Sequence, residues 1–498
     1  MLSVAGNKKG FLKWFRYSVV VKRFNSPLGW SILILLALAF ALTSANKLFI
    51  INFLVIAGIG GTIVAAICIL QPLTGFYLTV LFSCFAFYPQ RLGITVPVNT
   101  GIEVLILLNF IGAYFKRSKD PLNEYVSFIR TPVSIGFILY TAFFLVEIFN
   151  PNMYSAEGWL FFMRRWLGFI LIYVTAYKLL NSFDRIREFI KTFIILAFII
   201  AIYGCLQTWF GLLPFEMNWL KSNPHEYRLF LTGGYMRVFS FLSDPAAFGI
   251  LSGSMAMLTL VFAISSTRRK HKLILFIAAA FMLMGMSYSG TRTANIIPVA
   301  AIALYVLMTI THKRTMMVLF STIVAGMFLL YGPIDNPTVN RMRSTFRSED
   351  ASLNTRDVNR HFIQPYIYKH PLGGGIATSA REGLDFNPGH PLAGFPPDSG
   401  LLKAAIETGW IGYAFMIIFF FLVLYQGVHY YYLVEDPVFK QYLLAITIVE
   451  LSYIITQYAQ ISIGEIPSTF LFYPILAIMP RLLQLDKAKK YSQEIKTA

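Results

Sequence analysis

Arg165, Arg237 and Arg292 stand in or beside otherwise apolar runs, in GWLFFMRRWLGF, GYMRVFSFLSDPAAFG and SYSGTRTAN. A charge at membrane depth is costly and is usually kept for function. A single arginine there can also be an anchor that snorkels to the interface. Several beside long polar segments suit a shared anionic ligand instead, because the planar guanidinium fork binds two phosphate oxygens at once. Arg164 adjoins Arg165 in the same run, and Arg356 lies in a polar segment, TRDVNRHF, that also carries Arg360 on the same helical face. A diphosphate held in this way is a good leaving group. What remains is a base that takes a proton from an attacking hydroxyl. Asp398 in PPDSG and His390 in PGHP are the candidates, with His361 and His370 as weaker ones. Each has a plainer role: Asp398 or Ser399 would cap the helix that follows, and a loop histidine is often just exposed. Asp244 in SDPAA reads as a helix cap, with Pro245 at the first helical position. No spacing of Asp, Glu, His or Cys makes a metal site, so no metal is expected. The phosphate-loop and nucleophile-elbow motifs are also missing, so no cofactor is expected.

These residues need a membrane scaffold. The sequence is 56% hydrophobic and 13% charged, with a mean hydropathy of +0.62. Soluble domains carry roughly 25% charged residues. Apolar runs of about 17–25 residues recur along the chain, each long enough to cross a bilayer. The expected fold is an all-α polytopic membrane protein of about 14 transmembrane helices with one large extracytoplasmic loop containing short helices. The runs fall at 28–45, 48–70, 73–88, 94–115, 133–149, 159–180, 189–211, 245–265, 273–289, 294–311, 316–332, 401–427, 440–460 and 466–483; Glu103 and Asn109 interrupt the fourth. Cys68, Cys84 and Cys205 lie inside such runs and read as small buried hydrophobes.

The net charge is +18. It collects in short gaps between runs: Lys116, Arg117 and Lys119; Arg185 and Arg187; Arg268, Arg269, Lys270 and Lys272; Lys313 and Arg314; and Arg481 with Lys487, Lys489 and Lys490 near the end. That pattern is a topology signal rather than a nucleic-acid surface. It places both termini in the cytoplasm and two long segments outside. The division is a basic N-terminal tail (1–27), helices over 28–332 with an outer loop at 212–244, a catalytic loop at 333–400, three closing helices at 401–485 and a C-terminal tail at 486–498. The basic start reads as a membrane-surface tail rather than a cleaved signal. Within the catalytic loop, Leu353 to Lys369 predicts a short helix capped by Asn354 or Thr355, with Pro365 kinking or ending it. HPLGGG follows, and its glycines predict a tight turn or a close backbone approach.

In order along the chain, RVFSFLSDPAAFG, SYSGTRTA, TRDVNRHFIQPYIYKHPLGGG and PDSGLLKAAIETGWIG resemble the O-antigen ligase and O-antigen polymerase superfamily of bacterial membrane glycosyltransferases. The likeness covers about 237–412. It implies transfer of a glycan from a polyprenyl diphosphate carrier, typically undecaprenyl diphosphate, to an acceptor hydroxyl outside the cytoplasmic membrane, without a metal. Carried over, Arg237 and Arg292 would hold the diphosphate, with Arg356 as a loop partner. Counting back from Glu407 and Gly409, the family's histidine falls on Asp398 and its asparagine on Ser399, so either Asp398 replaces the histidine or His390 serves from a shifted position.

The departure favours a polymerase of O-antigen or exopolysaccharide repeats. A ligase that moves finished glycan to lipid A–core or protein is the alternative, and a non-enzymatic polysaccharide transporter a further one. The implied partners are the undecaprenyl-diphosphate-linked oligosaccharide, an acceptor glycan, the lipid bilayer, and export or chain-length proteins. No nucleic acid is among them.

Overall fold

The computed structural model describes residues 26–27, 30–31, 34, 49–94, 97–115, 120–232, 235–311, 313–333, 336–344 and 351–497. The first expected span, the basic tail and the 116–119 charge cluster lie wholly or almost wholly outside them. The chain divides into two compact units, 1–70 and 71–498. Of the first, one long helix is described, α1 (Phe49–Leu70). The second holds the remaining described helices.

Its apolar runs are helices because a helix satisfies its own backbone polar groups where no water can. In chain order the longer helices are α2 (Pro72–Cys84), α3 (Val98–Phe115), α4 (Pro132–Val146), α5 (Ala156–Leu179), α6 (Phe183–Phe210), α7 (Pro245–Ser265), α8 (Arg269–Tyr288), α9 (Arg292–Thr309), α10 (Lys313–Tyr331), α13 (Gly400–Leu433), α14 (Pro437–Thr456) and α15 (Thr469–Thr497), with α11 (Ala351–Lys369) and α12 (Ala380–Phe386) in the polar loop before α13. Among the described residues ten helices are long and apolar enough to cross a membrane, and the Gly58–Leu70 and Thr315–Leu329 stretches are shorter apolar helices. The chain is an all-α, multi-pass membrane protein. The strands among the described residues form one hairpin of two-residue strands, Leu231–Thr232 with Tyr235–Met236.

Helices α7 and α14 form the centre and are mostly buried, whereas α3 and α8 expose most of their surface. The polar residues that interrupt the fourth apolar run find partners across helices. Asn109 donates to Thr79 Oγ1 at 2.8 Å, and Glu103 pairs with Arg164 at 3.0 Å. Arg481 is not a free tail charge. It is fully buried, pairs with Asp120 and donates to the Tyr177 carbonyl at 2.8 and 2.9 Å. A buried guanidinium needs such partners to offset its desolvation.

One local expectation needs correction. The described part of the loop helix runs from Ala351 to Lys369, so Asn354 and Thr355 lie within it rather than at its N-cap. Pro365 sits inside the same helix and does not end it. As expected, Asp244 caps α7 by accepting from the Ala246 and Ala247 amides at 2.8 and 3.0 Å.

Candidate active site

The polar loop reaches the bundle through a broken helix. At Gly409, φ is +63° and ψ is −161°, so α13 loses its regular hydrogen bonding there. The loop replaces it. Gly374 and Gly375 donate to the Ile406 and Glu407 carbonyls at 2.9 Å each, and the Trp410 amide donates to the Pro371 carbonyl at 3.0 Å. Each of these groups left buried and unpaired would cost about 1–3 kcal/mol. Only glycine fits the contact. A Cβ on Gly373 (φ +69°) would lie 2.5 Å from the Glu407 carbonyl, and one on Gly409 would lie 2.0 Å from the Pro371 oxygen. Asn150 and Asn152, in the turn after α4, close the arrangement by donating to the Leu372 and Gly373 carbonyls at 2.7 Å each. The close approach expected of HPLGGG is therefore to the helix carrying Glu407.

Docking fixes the end of the loop, and with it Asp398. Ser399, not Asp398, caps α13: its Oγ accepts from the Leu402 amide at 3.0 Å. The Asp398 carboxylate is left for other work, and its Oδ2 is buried with no hydrogen-bond partner. It lines a cavity of about 390 Å³ together with Asp244, Gln460, Ser462, Glu465 and Ser468. The first turn of α7 forms one wall through Ala246 and Ala247. The opposite turn is held to the loop helix by Arg360, which donates to the Tyr458 hydroxyl and carbonyl at 2.8 and 3.0 Å.

A larger cavity, about 680 Å³, shares Asp244 and Glu465 with the first. Arg164 and Arg165 line it, above apolar residues such as Ile106, Ile172 and Phe470. Arg165 lies 3.4 Å from Glu382 and 3.9 Å from Glu465. Glu382 also pairs with Lys403 at 2.5 Å, and Lys403 lies 3.9 Å from Glu407. Glu407 in turn accepts from the Ser379 hydroxyl. Alternating charges thus run from the broken helix to the cavity wall. Burial raises the Glu465 carboxyl above its usual range, with Arg165 opposing the shift. Its side chain is 47% exposed, onto the two cavities it lines.

Arg237 lies elsewhere, at the turn between α8 and α9, and Arg292 begins the helix that follows that turn. Arg237 donates to the Ser289 carbonyl at 3.1 Å, the Thr291 hydroxyl at 3.1 Å and the Leu229 carbonyl at 3.3 Å. Thr291 donates to the Pro245 carbonyl at 3.0 Å, which joins this turn to the cavity-lining start of α7. Arg341, from the short helix Pro337–Ser344, donates to the Gly290 carbonyl at 2.9 Å. The backbone of Arg356 lies in α11, but its side chain is outside the described residues.

His390 lines neither cavity. It is buried, its Nδ1 accepts from the Leu392 amide at 3.1 Å, and its ring meets Tyr154 edge-on at 4.9 Å. Burial lowers its pKa, so it is held neutral with one lone pair already engaged. The sequence-predicted residues therefore separate into three places: Arg165 and Asp398 at the paired cavities, Arg237 and Arg292 at the neighbouring turn, and His390 inside the loop. Glu465, Glu382, Lys403 and Arg341 escape the sequence reading. Lys403 had a signal, since it stands four residues before Glu407 on one helical face. Glu465 had a weaker one, as the acidic residue of a short gap, ISIGEIPS.

Residues 277–417 match the model of the O-antigen ligase family. The match supports the O-antigen ligase and polymerase superfamily resemblance, and with it a membrane function of that type. It runs from within α8 to within α13 and includes Arg292, Asp398 and the broken helix, while Arg165 and Arg237 precede it. No curated protein matches the chain. Among the described residues no group of three or more His, Cys, Asp or Glu side chains is placed to hold a metal ion.

Proposed function

We propose that the protein is a glycosyltransferase that moves a glycan from a polyprenyl diphosphate carrier, of the undecaprenyl kind, to a sugar hydroxyl and so polymerises surface polysaccharide repeats. The observation that carries this reading is the pair of cavities with a shared carboxylate wall. One joins guanidinium groups to an apolar lining, which suits a lipid diphosphate. The other holds hydroxyl, amide and carboxylate groups around Asp398, which suits a sugar. In this reaction the Asp398 carboxylate takes the proton of the acceptor hydroxyl. The acceptor oxygen bonds to the anomeric carbon of the donor glycan. The bond from that carbon to the diphosphate breaks, and the polyprenyl diphosphate leaves with the electron pair. Arg165 stabilises its charge, Arg292 adds a second guanidinium with Arg356 of the loop helix as a further one, and Arg237 holds the turn that carries Arg292. His390 keeps the loop in shape.

In this reading the protein sits in the bacterial cytoplasmic membrane with both termini inside, and 333–400 is the catalytic loop on the outer face. The description of the matched family favours one second reading, a ligase that moves finished glycan to lipid A–core or protein with the same chemistry. A deletion strain separates the two. The polymerase reading expects single repeats on the carrier and no long polymer. Long polymer that accumulates on the carrier in that strain contradicts it and favours the ligase.

A further inference from the structure

At the other ends of the same helices lies a groove of about 600 Å³ that the proposed chemistry does not use. It runs between the first half of α6 and the first half of α8, and is closed by the last turns of α7 and the second turn of α14. Its walls are apolar, with Ile194 and Phe198 on α6 facing Ile274 on α8. Its rim is basic, formed by Arg187, Lys191 and His271. Arg187 and Lys191 stand four residues apart on one face of α6, and neither forms an ion pair with a described residue. No carboxylate lines the groove, although Asp184 and Glu188 lie on the same helix.

The dimensions select the ligand. From Arg187 to Phe198 the helix rises about 16 Å. One leaflet of a bilayer's hydrocarbon core is about 15 Å deep. A groove one leaflet deep, apolar along its length and cationic at its mouth, matches a lipid with a negative headgroup and a single-leaflet tail. Basic pockets between membrane helices recognise anionic headgroups by this chemistry. The Arg165 cavity also combines guanidinium and apolar groups, but carboxylates surround its arginines. The groove has no such competitors and would hold an anion continuously.

We propose that this groove is a binding site for an anionic phospholipid, with its headgroup phosphate on Arg187 and Lys191 and an acyl chain along Ile194 and Phe198. The site is separate from the proposed reaction and does not depend on it.

The test uses the full-length protein, stripped of lipid in a neutral detergent. Its melting temperature is read with added phosphatidylglycerol, phosphatidylcholine or inorganic phosphate. Phosphatidylglycerol is expected to raise the melting temperature by several degrees more than phosphatidylcholine, and inorganic phosphate to leave it unchanged. The double variant R187Q/K191Q, melting normally in detergent alone, should lose the preference, while Lys191→Arg should keep it. Equal shifts from the two lipids, a preference that survives the double variant, or an equal shift from inorganic phosphate would each overturn the assignment.

Discussion

Arg165 and Arg237 are both half-buried arginines, and their surroundings are opposite. Arg165 faces carboxylates at 3.4 and 3.9 Å on the edge of a cavity. Arg237 donates to two backbone carbonyls and a hydroxyl in a closed turn. A carboxylate ion pair beside open space can exchange one partner for a phosphate. A guanidinium that completes the hydrogen bonding of a turn gives up structure if it moves. Arginines of similar sequence setting therefore differ in what they hold: Arg165 offers a place for an incoming anion, and Arg237 first holds the turn that carries Arg292.

The largest effect that would sharpen this contrast lies at Asp398. Replacing it with asparagine keeps shape and removes the base. Transfer is expected to fall by about 10²–10⁴-fold, with binding of the lipid-linked donor unchanged, as read by donor pull-down beside an elongation assay. Next in size is Arg165→Gln. Losing one charge-assisted phosphate contact worth about 1.5–3 kcal/mol should lower kcat/KM for the donor by about 10- to 150-fold, with little change in melting temperature. Arg237→Gln should do the reverse. It removes hydrogen bonds within the turn, so a loss of about 1.5–3 kcal/mol should appear in thermal unfolding. If Arg237→Gln left stability intact and abolished donor binding, the two arginines would not differ as described.

The smallest effect concerns pH. Burial raises the Glu465 carboxyl above the usual carboxylate range. As pH falls through that raised value, Glu465 becomes neutral and stops competing with the donor for Arg165. The donor KM is therefore expected to fall at lower pH, by about two- to fivefold for so exposed a pair. Glu465→Gln should show the low-pH KM throughout. A pH dependence that persists in this variant would assign it to another group.

The sequence reads local features well and long-range ones poorly. The Asp244 cap needs only its own neighbours, and both the cap and the following proline are visible in SDPAA. HPLGGG predicts a close approach because three glycines have few other uses. Its partner, Gly409, is not predictable from either segment, since the break in α13 is tolerable only once the loop supplies its hydrogen bonds. Distance in sequence hides the remaining site residues in the same way. Glu465 and Glu382 matter through Arg165, which is hundreds of residues away in the chain, and no periodicity joins them. Arg481 looked like a topology charge because hydropathy does not reveal Asp120 beside it. The sequence offers Asp398 as the cap of α13 with Ser399 as a second candidate, and the geometry selects Ser399.

The most direct test supplies purified protein with a synthetic polyprenyl-diphosphate-linked repeat and reads product length by mass spectrometry, for the natural chain and Asp398→Asn. The natural chain is expected to form products of two or more repeats with release of polyprenyl diphosphate, and the variant to leave the single repeat bound and unextended. Elongation by Asp398→Asn at the natural rate would contradict the role of Asp398 as the base.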